Sequence, residues 1–107
     1  MQRTMICLGL CAGLMLLIAG PLLAADDAAA VYKTRCAACH GADGSGDTPM
    51  GKKLALKSLG SPEVQKQKDD ELRTVIAKGK DKMPGFEKKL SAKQIDGLVA
   101  LIRSFKK

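Results

Sequence analysis

Three side chains in the run Cys36-Ala37-Ala38-Cys39-His40 stand at positions i, i+3 and i+4. On a helix those positions share a face. Two thiols on that face can form thioethers with two haem vinyl groups, and the imidazole beside them can reach the iron as proximal ligand. C-x-x-C-H is the attachment signature of c-type haem. Two other chemistries suit the cysteines alone. A thioredoxin-like dithiol needs a βαβ pattern around it, and none is visible. A zinc site needs about four ligands. Beyond the N-terminal segment the chain offers only Cys36, Cys39 and His40.

A second informative stretch is Lys82-Met83-Pro84-Gly85-Phe86. A methionine followed by proline and glycine in a loop is oddly placed for a core side chain.

The elements that must position these residues read as helices. Asp26 and Asp27 before Ala28-Ala29-Ala30 favour a helix start, and that first helix is expected to run to about His40. Tyr32 lies four residues before Cys36 and so packs on the same face. Gly41 to Gly51 holds four glycines, a proline and two aspartates, which excludes regular structure there. It lacks the twelve-residue calcium-loop pattern, and no strand precedes it as a phosphate cradle requires. Lys52 to Leu59 reads as a short helical turn or an irregular apolar strip. Ser61-Pro62-Glu63 opens a short helix ending near Lys68. Asp69-Asp70-Glu71 opens another, carrying Leu72, Val75 and Ile76 and stopped by Gly79. Ser91 and Gln94 form a capping box for the last helix, with Ile95, Leu98, Val99, Ile102 and Phe105 on one face and Leu101 widening it. No repeat and no convincing strand appear, so the fold class is all-α.

The 107 residues divide into Met1–Ala25 and 26–107. Arg3, the uncharged run Met5 to Ala19, Gly20-Pro21 and the small residues Ala24-Ala25 read as an export signal with a processing region. Left uncut, Met5 to Ala25 is long enough to anchor the chain in a bilayer. Cys7 and Cys11 read as apolar filler within it. Export predicts a periplasmic or otherwise extracytoplasmic protein. The remaining domain of about 82 residues is small. Chains of that size bury little apolar surface and often need a covalent or metal staple. A covalently held haem would serve as one, and would suit a chain whose aromatics are only Tyr32, Phe86 and Phe105. The full chain carries a net charge of +7, about +6 without Arg3. That surplus suits an acidic partner or an anionic surface. No basic stripe interleaves with stacking aromatics, which argues against nucleic acid.

Taken together, Tyr32 to Gly41, Leu72 to Gly79, Lys82 to Phe86 and Leu98 to Arg103 resemble the small single-haem class I cytochrome c family of the bacterial periplasmic type. The resemblance spans nearly all of residues 26–107, which would then form one cytochrome c domain. It implies short helices around one haem c, with the first and last helices crossing near its edge. It implies thioethers at Cys36 and Cys39, His40 as proximal and Met83 as distal iron ligand, and the Pro49 carbonyl as acceptor for the His40 Nδ1 proton. Ala28 stands where many relatives have glycine, and Leu101 where many have an aromatic residue. Met50 could also reach the iron, since ten extended residues span about 33 Å. The Met-Pro-Gly-Phe context favours Met83.

With histidine and methionine both bound to iron no coordination position is open, which predicts an electron carrier rather than an enzyme. Methionine ligation and burial raise the reduction potential. The implied partners are acidic redox proteins, such as a quinol-oxidising complex as donor and a terminal oxidase or reductase as acceptor, met by a monomer. The alternative is a peroxidase-like or gas-binding haem protein whose distal methionine leaves. No distal His or Arg pair supports it.

Overall fold

A computed structural model describes Gly13 and residues 22–107. Most of the expected export segment, with Cys7 and Cys11, lies outside them. The described helices are α1 (Leu22–Arg35), α2 (Ala37–His40), α3 (Pro49–Lys53), α4 (Pro62–Gln65), α5 (Asp69–Lys78) and α6 (Ala92–Ser104). Among the described residues there is no strand, only an isolated bridge between Lys80 and Met83.

α1 begins ahead of the acidic pair expected to open it. Leucine and alanine are strong helix formers, and residues 22–25 extend the helix back through them. It also ends earlier than expected. At Cys36 the backbone opens to φ −117° and α2 starts afresh at Ala37. The hydrogen-bond ladder nevertheless bridges the break. Cys36 N–H donates to the Tyr32 carbonyl and His40 N–H to the Cys36 carbonyl, both at 2.9 Å.

The glycine-rich stretch contains a helix that glycine counting hides. Thr48 caps α3 by accepting from Gly51 N–H at 2.8 Å, and Pro49 occupies its first turn. A threonine cap followed by proline is a helix start. Leu54 to Gly60 is irregular, and α4 stops at Gln65, short of the expected Lys68. α5 runs from the acidic triplet to Gly79 as expected. In α6 both arms of the Ser91–Gln94 capping box form, at 3.1 and 2.8 Å.

α6 packs across α1 and against α5. Its apolar stripe of Ile95, Leu98, Val99 and Ile102 is buried together with Tyr32, Leu72, Ile76, Phe86 and Leu90. Ala28 is buried on α1, whereas Leu101 is only half-buried. The α4 region is tied to α6 by polar groups. Gln65 Nε2 donates to the carbonyls of Leu59 and Ile102, both at 2.8 Å. The Arg103 guanidinium donates to the Gln65 carbonyl at 2.8 Å and to Asp69 at 2.8 and 3.0 Å. These bonds tie the α4 region to α6, and Leu59 and Val64 pack against the core.

Candidate functional site

Beside the core lies an apolar cavity of about 150 Å³, open in part to solvent. α1 and α2 bring Tyr32, Cys36 and His40 to it, α5 brings Leu72, Val75 and Ile76, and the segment after α5 brings Lys80, Met83 and Phe86. Of the residues singled out from sequence, Cys36, His40 and Met83 thus meet at one site although more than forty positions separate the first from the last. Cys39 is half-buried beside it without lining it. Met50 is 43% exposed and also does not line it.

Burial pushes the His40 pKa below the usual imidazole value, so at neutral pH the ring is uncharged, the form that binds metals. Its Nδ1 is buried with no hydrogen-bond partner. No hydrogen bond joins it to the Pro49 carbonyl in this structure. Burial likewise raises the Cys36 thiol pKa, with Arg35 opposing, and Cys36 and Cys39 are free thiols. Among the described residues no three His, Cys, Asp or Glu side chains converge as a metal site, so a zinc reading lacks donors. A neutral imidazole and a thioether sulfur facing one apolar cavity, with thiols at its edge, fit a haem.

Backbone bonds dock the Met83 segment, and the Met83 side chain packs against the core. Lys80 and Met83 exchange hydrogen bonds of 3.1 and 2.9 Å around a turn in which Asp81 has φ +53°. Phe86 N–H donates to the Ile76 carbonyl at 2.9 Å and Glu87 N–H to that of Ala77 at 3.1 Å, docking the segment on the end of α5. The fit is close at Gly85, where a Cβ would come within 2.6 Å of the Ala77 carbonyl oxygen.

Comparison with known proteins agrees with this site. Residues 23–102 match the family described as cytochrome C oxidase, cbb3-type, subunit III. The chain is 34% identical to a cytochrome c6 of Synechococcus sp. over 84 residues, covering 77% of this chain and 72% of that protein. The solved structure of the KustC0563 c-type cytochrome superposes with a TM-score of 0.70 at 32% identity, covering 76% of this chain and 99% of that one. The chain belongs to the class I cytochrome c family. The cytochrome is accordingly an electron-transfer protein and not an enzyme, and its cofactor is covalently attached haem c.

Around the attachment motif the cytochrome uses two hydroxyls. The Tyr32 hydroxyl, on a residue only 5% exposed, donates to the Gly41 carbonyl at 2.6 Å, and its ring lies 5.4 Å from that of Phe105. The Thr48 hydroxyl donates to the Cys39 carbonyl at 2.7 Å. Tyr32 was legible from its spacing to Cys36. Thr48 was not, although the Thr-Pro cap signal marked its position. Gly51 was missed as well: a Cβ there would collide with the Gly46 and Cys39 carbonyl oxygens, so α3 could not close on the motif.

Tyr32 gives the cytochrome a distinct alkaline limit. Burial above all, with the Asp43 charge adding to it, pushes its pKa up to about 12 from the ordinary 10.0. Stability that depends on the neutral phenol is complete below pH 10 and drains as pH rises through 12, because only the unfolded chain ionises readily there. Tyr32→Phe should cost about 1–3 kcal/mol at neutral pH by leaving the Gly41 carbonyl unpaired. Thermal melts across pH 9–12 should show the native protein falling toward the variant, and parallel curves would refute the assignment.

Proposed function

We propose that the cytochrome shuttles single electrons between acidic redox partners, with Cys36 and Cys39 as thioether anchors and His40 and Met83 as axial iron ligands. The observation that carries this reading is that Cys36, His40 and Met83 line one apolar cavity while Met50 stays outside it. When bound, the haem iron supplies one-electron redox chemistry with no bond made or broken in substrate. The protein's residues do the rest. Leu72, Ile76, Phe86 and Leu98 keep water from the cavity, and His40 enters it uncharged. An apolar surround with methionine ligation favours a raised potential. Ferric and ferrous absorption spectra test the ligands. A sharp c-type spectrum with a methionine–iron charge-transfer band is expected, and a high-spin spectrum would overturn the pairing.

The partner surface is proposed at the mouth of the same cavity. Lys80 lines it, and Lys80, Lys82, Lys88 and Lys89 are exposed. Among the described residues no carboxylate forms an ion pair with these four. Lys78 and Lys52 are otherwise engaged, with Glu87 at 2.6 Å and with Asp47 at 3.1 Å. Unpaired positive charge steers acidic partners and acts on the association rate more than on affinity. The reading is an exported protein acting between a quinol-oxidising donor and a terminal oxidase or reductase. Lys80→Glu with Lys82→Glu should lower the bimolecular electron-transfer rate at least several-fold. The native rate should fall as salt shortens the Debye length from about 30 Å at 0.01 M to about 10 Å at 0.1 M. A rate flat in salt and unaffected by the substitutions would remove the electrostatic steering.

A further inference from the structure

We infer that Arg103 is a positioning residue for the electron-transfer site: its guanidinium holds the connection between α4 and α5 closed beside the cavity and so limits the water that reaches the cofactor. The inference rests on the reading of the cavity as the haem site. Val64, Gln67 and Leu72 line the cavity from one stretch of chain, and Leu98 and Ile102 line it from α6. The two ends of that stretch are anchored by packing, Val64 against the core and Leu72 within it. Between them the chain has little apolar hold. Lys66, Lys68 and Asp69 are exposed, and Gln67 is half-buried. Among the described residues, every hydrogen bond that joins 66–69 to a distant part of the chain comes from Arg103. Its guanidinium donates to the Gln67 carbonyl, to the Gln65 carbonyl before it at 2.8 Å, and to the Asp69 carboxylate after it at 2.8 and 3.0 Å. Neither carbonyl accepts from a backbone amide. The Arg103 side chain is 30% exposed, so these bonds are better shielded from water than those of a surface ion pair. A planar fork can bridge three such acceptors, whereas a lysine ammonium is a single point. Asp69 also offsets the arginine charge, which leaves geometry as the main way in which Arg103 acts on the iron. Solvent exposure is one of the levers on haem potential.

Arg103→Gln removes both the charge and the fork, whereas Arg103→Lys keeps the charge and loses the fork. The holoprotein variants are compared by reduction potential and by amide hydrogen exchange over residues 64–72. Both variants should lower the potential, and both should speed that exchange about tenfold or more, as expected when charge-assisted hydrogen bonds are lost. Arg73→Gln is the control. It breaks the ion pairs with Asp70 and Asp96, none of which lines the cavity, and should leave the potential native. Should the glutamine variant fail to assemble, the lysine variant, which loses no charge, decides alone. Native exchange in the variants, a lysine variant of native potential beside a lowered glutamine one, or a control that lowers the potential as far would each overturn the inference. Faster exchange with a native potential in both variants would show that the cofactor does not lie beside this segment, which defeats the underlying reading and the inference with it.

Discussion

Replacing both Cys36 and Cys39 with serine should leave a chain that carries no covalent haem and does not fold cooperatively. The reason lies in the ratio of cavity to core. The domain buries few large side chains, and the cavity lies against its core. Unfilled apolar volume costs about 24 cal/mol per Å³. The roughly 150 Å³ of the cavity would then cost about 4 kcal/mol, close to the lower end of the total stability of about 5–15 kcal/mol of an ordinary domain. Native protein made without export and haem-attachment machinery should behave in the same way. Circular dichroism with urea titration is the measurement: the double variant should lose most of its helical signal and show no sigmoidal transition. A cooperative transition near that of the holoprotein would mean that the polypeptide closes its own core.

The second large effect is expected at Met83. Met83→Ala should open one axial position, lower the reduction potential and speed the binding of cyanide by orders of magnitude. The covalent haem should remain, because the proposed thioethers are on the other segment. The backbone bonds that dock residues 83–87 on α5 do not involve the methionine side chain, so the fold should survive. Met50→Ala is the matched comparison. Met50 is exposed and outside the cavity, so its removal should leave spectrum, potential and cyanide kinetics as they are. The reverse outcome would move the ligand to α3.

These expectations show which parts of the molecule are local enough to read from sequence. The capping box and apolar stripe of α6 and the acidic start and Gly79 stop of α5 depend on residues within a few positions of one another, and they appear as expected. The misreadings share another cause. α3 was hidden because Gly46 and Gly51 looked like loop residues, while their role is to let two backbones approach. Thr48 matters through a partner nine positions away. The pairing of Lys78 with Glu87 follows from the docking of the segment after Met83 on α5.

The backbone docking of the Met83 segment has an evolutionary consequence. What docks the methionine segment is main chain: the Lys80–Met83 exchange and the two bonds to the last turn of α5. The side chains of Lys80, Lys82, Lys88 and Lys89 take no part in those bonds. Their charges can therefore drift under selection for one partner or another without disturbing the proposed metal ligand. Gly85 cannot drift in this way, because a side chain there would strike the Ala77 carbonyl. A lineage could exchange its redox partners by surface substitution alone, retuning who is met while leaving the electron's resting place untouched.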